Sequence, residues 1–439
     1  MRSDTLRLTV AQLQSDGVLL VEDGNHGEYR PRPEEFVSEG VAFIRAADMH
    51  DGRVLFDRAE RINETAATRI RKGIGRSGDV LLSHKGTVGK VSLVPDGAPP
   101  YVCSPQTTFW RVRDPNSLDP RYLFAYLRSP DFRAQLASRK GETDMADYVS
   151  LTAQRQLEVP LPEIAVQRAI GAIVGALDDR IDLLRQTNAT LESIAQAIFK
   201  SWFVDFDPVR AKAEGREPDG MDAATAALFP AEFEESALGL IPKKWRVVSV
   251  YEVANVIYGA PFSSRRFNTD ANGQPLVRIR DLRDEAPGVW TSEVHPKGYL
   301  LHPGDIVVGM DGEFRAYLWG GAPAWMNQRV CCFQPVAPHC AAFVRCAIAG
   351  PLAHIEATEV ATTVIHLGKG DIDHFKVVAP PEAVASAFAN LADPLYARIV
   401  TNKVQTRHLS ELRDTLLPRL ISGKLRLSEA QEQAENALA

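Results

Sequence analysis

The chain lacks the features of a membrane-bound or disulfide-stabilised protein. Its 439 residues include only five cysteines, an odd number without a CxxC pair, which is typical of a reducing cytosol. No apolar run approaches the roughly 18 residues that a membrane-spanning helix needs. The first residues are polar and contain no apolar core of a signal peptide. We therefore expect a cytoplasmic protein that does not associate with membranes.

The sequence also lacks the motifs of common catalytic and metal sites. There is no HExxH, GxSxG or phosphate-binding P-loop, no Asn/Asp-Pro-Pro-aromatic motif of amino-methylating enzymes, and no acidic pair of metal-dependent nucleases. Residues 73–78 spell GxGxxG, but a helix-like run precedes them and a strand follows, the reverse of the order in a dinucleotide site. We expect no catalytic, cofactor-binding or metal-binding residues and no enzymatic activity of the chain itself.

An excess of positive charge is missing too. The net charge is −6, so any binding of nucleic acid has to come from local patches. The hydrophobic fraction of 45% and the charged fraction of 24% are ordinary for a globular protein. The length is sufficient for two or three domains.

Two long heptad segments are present. The first spans residues 164–203, roughly 55–60 Å as a helix, and the second runs from Glu382 to Leu417, where Pro418 and Gly423 halt it. Apolar side chains recur every three or four residues in both, a pattern that predicts helices packed along a seam. Asn188 and Asn402 occupy polar positions in these seams. They either fix the register of a buried interface or face solvent at its edge.

The second half of the chain repeats the first. Short β-like runs punctuated by turns precede each long segment, and motifs such as Gly78-Asp79-Val80 and Gly304-Asp305-Ile306 return in the same order. The predicted fold class is α+β, with two pseudo-symmetric mixed α/β domains separated by two long helices packed as an antiparallel coiled coil. The predicted boundaries are 1–160 for the first domain, 161–205 for the central helix, 206–244 for a linker, 245–380 for the second domain, 381–425 for the C-terminal helix and 426–439 for a tail.

Polar loops at matching places in the two halves carry chemistry suited to nucleic acid. Arg, Lys and small hydroxyls bind phosphates, and planar donors such as Arg, Asn and Gln read base edges. Each residue taken singly could instead be a solvated charge or part of a structural ion pair. The candidate DNA-binding residues are Asn25, His26, Tyr29, Arg30, Arg45, Arg71, Lys72, His84, Lys85, Thr87 and Gln106 in the first domain, and Ser264, Arg265, Arg266, Arg278, Arg280, Arg315 and Gln328 in the second.

One of these loops differs in charge between the halves. The second domain carries the acidic segment 309–315 where the first has the basic loop around Lys85. This difference puts a basic contact equivalent to Lys85 in doubt, and Arg315 is the candidate substitute.

Several stretches resemble a known family. They include Gly78-Asp79-Val80-Leu81-Leu82-Ser83 with the following Gly86–Lys90 loop, the 159–170 and 177–181 segments, Phe199-Lys200-Ser201-Trp202-Phe203-Val204-Asp205-Phe206-Asp207-Pro208-Val209, the 236–245 segment, and Leu416-Leu417-Pro418-Arg419-Leu420-Ile421-Ser422-Gly423-Lys424-Leu425. Together they cover nearly the whole chain. The chain resembles the DNA-specificity subunit of Type I restriction–modification systems.

The resemblance implies a non-catalytic subunit for host defence and DNA methylation. Two target-recognition domains would each read half of a split site in double-stranded DNA, and the helices would space them. Two methyltransferase subunits would dock on the helices and bring the restriction subunits, while S-adenosylmethionine, ATP and Mg²⁺ would bind to those partners. The alternatives are a specificity subunit of a fused methyltransferase–nuclease and a scaffold that binds only protein, which the negative net charge favours.

The ends of the helices are the expected dock for the methyltransferase subunits. The alternative is that their aromatic residues only close the junction between helix and domain. The candidate partner-binding residues are Ile198, Phe199, Trp202, Phe203, Leu416 and Leu420.

Overall fold

The computed structural model describes residues 6–139, 147–358 and 365–438. The chain divides into two compact units. Unit 1 comprises residues 1–180 and 409–439, and unit 2 comprises residues 181–408. Within the described ranges, no helix combines the length and the apolar character needed to cross a membrane.

Helices and strands alternate along both units. The helices are α1 (Val10–Ser15), α2 (Glu64–Arg69), α3 (Pro120–Leu127), α4 (Pro130–Ala137), α5 (Leu151–Gln154), α6 (Ile164–Phe203), α7 (Asp207–Ala213), α8 (Ala223–Ala227), α9 (Ala341–Thr358), α10 (Lys369–Asp373), α11 (Glu382–Ile421) and α12 (Leu427–Leu438). The strands are β1 (Leu6–Thr9), β2 (Leu19–Asp23), β3 (Phe36–Val37), β4 (Val41–Ile44), β5 (Met49–His50), β6 (Arg53–Val54), β7 (Glu60–Ile62), β8 (Val80–Ser83), β9 (Val91–Leu93), β10 (Tyr101–Cys103), β11 (Thr107–Val112), β12 (Glu158–Leu161), β13 (Phe233–Ser236), β14 (Gly239–Pro242), β15 (Arg246–Ser249), β16 (Ala254–Tyr258), β17 (Phe267–Asn268), β18 (Gln274–Val277), β19 (Trp290–Thr291), β20 (Leu300–Leu301), β21 (Ile306–Gly309), β22 (Ala316–Leu318), β23 (Ala324–Met326), β24 (Val330–Pro335) and β25 (Lys376–Ala379).

Unit 1 contains two four-stranded sheets. One has the antiparallel order β2-β11-β8-β9, and the other has the order β10-β4-β7-β3, in which β10 and β4 are parallel. Leu81 and Phe109 of the first sheet share a buried apolar cluster with Ile44 and Tyr101 of the second. Every residue of β8 is buried, which explains why that strand reads as a continuous apolar run rather than an alternating one.

Unit 2 repeats this topology. Its antiparallel sheet has the order β16-β24-β21-β22, and its second sheet, β17-β19-β18-β23-β20, contains the parallel pair β18–β23. In each domain an antiparallel pair of strands joins the beginning of the domain to its end. These pairs are β1 with β12 in unit 1 and β15 with β25 in unit 2. The matching orders confirm the predicted duplication.

The two long helices pack in antiparallel orientation. Within unit 2, Asn402 Nδ2 donates a hydrogen bond of 2.8 Å to Asn188 Oδ1, and further along α6 the ring of Phe199 meets that of Phe388, which lies earlier in α11. Asn402 is fully buried, so its seam position is internal. Within unit 1, Arg413 of α11 pairs with Asp178 of α6 at 2.7 Å. These contacts confirm the predicted helix pair.

The structure differs from prediction in three segments. Helix α11 continues through Pro418 to Ile421, because a proline near a helix end forfeits only one hydrogen bond. The helix ends at Ile421, and the following Gly423, whose φ is +67°, allows Lys424 N to donate to Arg419 O at 2.8 Å. The predicted linker contains α7, α8 and the β13–β14 hairpin, and the predicted tail contains α12.

Candidate nucleic-acid interface

The turn between β10 and β11, residues 104–106, is where the loops that follow β2, β4 and β8 of unit 1 are held together by hydrogen bonds. Ser104 N donates to Ile44 O at 2.8 Å at the end of β4, and His84 N donates to Gln106 O at 2.9 Å after β8. Gly24 N donates to Thr107 O at 3.1 Å after β2. These bonds are made by the backbone, so they hold the loops in place whatever side chains the loops carry.

A glycine makes the closest of these approaches possible. A Cβ atom at Gly24 would lie 2.0 Å from the carbonyl oxygen of Cys103, a distance that no other residue type tolerates. Cys103 N also donates to Gly73 O at 2.8 Å, which adds the segment containing Arg71 to the cluster. The guanidinium of Arg71 lies 4.9 Å from the ring centre of Tyr29.

The structure therefore brings most of the predicted residues of unit 1 to one loop cluster. Tyr29 is half-buried beneath Arg71. The cluster presents exposed polar and basic side chains, which suit a phosphate-rich surface. These exposed residues are Asn25, Arg30, Arg71, Lys72, Lys85, Thr87 and Gln106.

Two predicted DNA contacts are buried instead. His26 is 4% exposed, with Nε2 2.9 Å from Cys103 O, and His84 is 2% exposed, with Nδ1 3.2 Å from Val149 O. Burial lowers the pKa of both imidazoles because it penalises their charged form. The structure corrects the prediction here, because these side chains support the loops from inside and do not reach the surface.

Two predicted arginines form ion pairs within their own unit. Arg45 lies 3.1 Å from Glu60 and 3.8 Å from Asp48, and Arg278 lies 3.1 Å from Asp281. In both units the arginine's backbone N–H also donates to the nearby aspartate, at 2.8 Å for Arg45 and 3.0 Å for Arg278. These contacts favour the structural interpretation for this matched pair.

The turn between β23 and β24, residues 327–329, repeats the arrangement in unit 2. Asn327 N donates to Val277 O at 3.1 Å, and Met310 N donates to Arg329 O at 2.9 Å. A Cβ atom at Gly259 would lie 2.0 Å from the carbonyl oxygen of Asn327. Ser104, Gln106 and Gly24 thus have structural counterparts in Asn327, Arg329 and Gly259.

The basic loop of unit 1 has an acidic counterpart. Gly86 N donates to Asp147 O and Gly312 N donates to Ile365 O, both at 3.0 Å, and both glycines have positive φ. The residues before these glycines, Lys85 and Asp311, therefore occupy equivalent positions. Isolated bridges confirm the match, since Lys85 faces Tyr148 and Asp311 faces His366.

Unit 2 presents a different set of exposed side chains. Ser264, Arg265 and Arg266 form an exposed 3₁₀ turn, and Arg280 and Gln328 are exposed on other loops. Arg315 pairs with Glu356 of α9 at 2.7 Å. It therefore does not stand in the position of Lys85.

Sequence reasoning missed the counterpart of Gln106. Arg329 occupies that position, whereas the prediction named its neighbour Gln328. His366 and Tyr148, which face the two matched loops, were also missed. Tyr148 and His366 are 218 residues apart (366 − 148), the same separation as Pro162 and Pro380 (380 − 162), so extending the match of the long segments backwards would have supplied the signal for His366.

The Gly-Asp motif that the two halves share is structural. Asp79 is fully buried, and Arg111 holds its carboxylate with both Nε (2.7 Å) and Nη2 (2.8 Å). Tyr101 Oη donates to it at 3.0 Å. In unit 2, Tyr299 Oη donates to Asp305 at the same distance.

The aromatic residues at the end of α6 lie in the core of unit 2. Phe199, Trp202 and Phe203 are at most 9% exposed and pack against Phe388. Leu416 and Leu420 are buried as well, and Ile198 is half-buried. Burial inside the chain contradicts the docking prediction for these five residues, and the three aromatic ones instead pack in the core of unit 2. Only Ile198 keeps a partly open surface.

Metal-ligating side chains do not converge in the described part of the chain. No group of three or more His, Cys, Asp and Glu residues there could hold a metal ion.

Comparison with known proteins finds similarity to one kind of protein. Residues 26–193 match the family model described as the type I restriction modification DNA specificity domain. The type I restriction enzyme HindI specificity subunit of Haemophilus influenzae is 25% identical over 441 residues, covering 88% of this chain and 94% of that protein. The chain is similar along most of its length to specificity subunits of type I restriction enzymes.

Two further similarities are to proteins of the same kind. The EcoBI specificity subunit of Escherichia coli is 32% identical over 199 residues, 44% of this chain and 42% of that protein. The crystal structure of the S subunit from M. genitalium superimposes with a TM-score of 0.54 at 14% identity, covering 96% of this chain and 97% of that one. At that identity the superposition shows the shared fold alone.

Proposed function

We propose that this chain is the non-catalytic, sequence-specific DNA-binding subunit of a type I restriction–modification complex. Each unit reads one half of a bipartite site through the loops gathered on its turn, the β10–β11 turn in unit 1 and the β23–β24 turn in unit 2. The chain docks two methyltransferase subunits, which bring the restriction subunits. S-adenosylmethionine, ATP and Mg²⁺ act on those partners.

The duplicated loop cluster is the observation that carries this proposal. The two units hold their loops with the same backbone hydrogen bonds and yet expose different side chains at equivalent positions. One backbone frame with two sets of side chains suits a protein that reads two different half-sites. The exposed cations of each cluster supply the attraction to phosphate that the net charge of the chain does not.

Mapping of methylated bases in the host genome tests the proposal directly. Deletion of the gene should abolish methylation at one bipartite motif, and complementation should restore it. If the deletion leaves every methylated motif unchanged, the proposal is wrong.

Lys85→Ala tests the interface of unit 1. In the complex assembled with its methyltransferase subunits, we expect weaker binding to the bipartite site and a salt dependence reduced by about one phosphate contact. Binding titrations at several salt concentrations measure both effects.

Lys376→Ala on β25 removes another exposed lysine and serves as the control. Its affinity and salt dependence should match those of the unmodified complex. If the two variants bind DNA with equal affinity and equal salt dependence, Lys85 does not contact the DNA.

A further inference from the structure

Gln106 and Arg329 occupy equivalent places in the two turns. The carbonyl oxygen of each accepts a hydrogen bond from the loop that follows β8 in unit 1 or β21 in unit 2. His84 N donates to Gln106 O, and Met310 N donates to Arg329 O, both at 2.9 Å. With the carbonyl held in the same way, the two side chains leave the backbone from equivalent points. Both residues are exposed at the surface of their loop cluster.

A neighbouring carboxylate orients the arginine. Arg329 Nη1 lies 3.6 Å from Asp311 Oδ1, and 57% of the arginine side chain is exposed. Asp311 is 23% exposed and also contacts His366 Nδ1 at 2.5 Å, so it is itself held in place. One edge of the guanidinium thus faces a carboxylate, which limits its rotation and directs the remaining donors outward.

The two side chains match different bases. An arginine fork donates two parallel hydrogen bonds to O6 and N7 of guanine, whereas a glutamine amide pairs with N6 and N7 of adenine. Asp311 adds a negative charge next to Arg329, so this site is less suited than the Lys85 loop to a contact with phosphate alone. A base edge is the target that such a partly neutralised, oriented arginine fits best.

We infer that Arg329 reads a guanine in the half-site of unit 2 and that Gln106 reads an adenine at the matching place in the half-site of unit 1. Asp311 is a positioning residue that acts through Arg329. This inference rests on the proposed function, because it names the bases that two residues of the proposed interface select.

Exchange of the two side chains tests the inference. The assembled methyltransferase complex is titrated with the bipartite site found by methylation mapping and with versions that carry each single base change. Arg329→Gln should move the preference at one position of one half-site from guanine to adenine, and Gln106→Arg should do the reverse in the other half-site. We expect each exchange to change discrimination about ten- to a hundredfold at that position.

Arg246→Gln is the matched control, because it also removes an exposed arginine from unit 2 but lies on β15, outside the loop cluster. It should leave every base preference unchanged. If Arg329→Gln also leaves every preference unchanged, the inference is overturned while the proposed function stands. If the unmodified complex selects no bipartite site at all, the proposed function fails first, so the two failures are distinguishable.

Two further variants separate base reading from charge and from orientation. Arg329→Lys keeps the charge but loses the fork, so it should lose guanine discrimination at a largely retained affinity. Asp311→Asn should reduce guanine discrimination without selecting a new base, and Asp311→Glu should restore part of it. Unchanged discrimination in Asp311→Asn would overturn the positioning role, and unchanged discrimination in Arg329→Lys would overturn the base contact.

Discussion

Buried polar residues next to the candidate interface show how little residue type says about function by itself. Asp79 and His84 both lie in or beside conspicuous loop motifs, and both are buried with hydrogen-bond partners inside unit 1. Asp79 in particular has no access to DNA. Its carboxylate satisfies Arg111 and Tyr101, so the motif holds the sheet and its neighbouring turn together.

Asp79→Asn should therefore act on stability. Loss of one partner leaves the Arg111 guanidinium buried without its counter-charge, and such losses cost about 3–5 kcal/mol of unfolding free energy. Chemical denaturation of the chain measures the effect in the transition of unit 1.

Asp305→Asn is the matched variant in unit 2. Asp305 is only half-buried and accepts from Tyr299 Oη and His302 N, which are neutral donors. We expect this variant to lose about 1 kcal/mol of unfolding free energy. Equal losses in the two variants would contradict the role assigned to the buried ion pair.

The exposed cations could be predicted from the sequence, whereas the buried imidazoles could not. Lys85 and Arg71 lie on loops rich in Gly and polar residues, where long charged side chains stay in water. His26 and His84 lie on the same loops, but their rings contact Cys103 and Val149, which lie more than 60 residues further along the chain. A single sequence carries no record of those contacts.

At the scale of elements, the long helices were the most predictable part of the molecule. A seam that recurs every three or four residues over some forty residues has few other interpretations. The short strands were less predictable, because pieces such as Phe36–Val37 and Leu300–Leu301 are too short for any periodicity. The parallel pairs in each unit follow from contacts between residues far apart in the chain.

The asparagine pair in the helix seam makes a prediction about register. Asn402→Ala leaves Asn188 half-buried without its partner and should lower the unfolding free energy by about 1–3 kcal/mol. The double change Asn188→Leu with Asn402→Leu should instead raise it, because two apolar side chains pack in place of two amides. Denaturation of the three proteins, wild-type and both variants, checks the signs.

The double variant should gain stability but lose the single, well-defined register of the helix pair. Without the amide pair, the seam fixes the register less strongly, so the double variant should show broadened NMR signals for seam residues such as Ile399. A double variant that is less stable than the single one would show that the amides do not act as a pair.

At the scale of the whole molecule, buried and half-buried histidines couple stability to pH in both units. Burial lowers the pKa of His26, His84 and His339. The unfolded chain binds protons at the ordinary pKa of about 6.5, whereas the folded chain binds them only at lower pH. The stabilisation is therefore complete above about pH 6.5 and is lost as the pH falls towards the lowered values of the folded state.

The melting temperature of the protein should therefore decrease as the pH is lowered from 7 to 5.5. His84→Gln should flatten this dependence for unit 1. A melting temperature that is constant or rises on acidification would contradict the role of the buried imidazoles.

The sequence was sufficient to predict the internal repeat as motifs that return in the same order. The structure adds which individual residues of the two units correspond. The Gly-Asp motifs and the seams were recognisable in both halves. The equivalence of Gln106 and Arg329 was not, because loops of different length separate the motifs and shift the spacing. Only the backbone hydrogen bonds of the two turns fix which residues correspond.

Those bonds also bear on how such a protein changes over evolutionary time. The β10–β11 and β23–β24 turns are anchored through main-chain N–H and C=O groups, so mutation of the outward side chains leaves the anchors intact. Single codon changes can therefore alter the sequence that a unit recognises at almost no cost in folding. Under the proposed function, a host lineage would acquire a new recognition sequence in one half-site while the other stays as inherited.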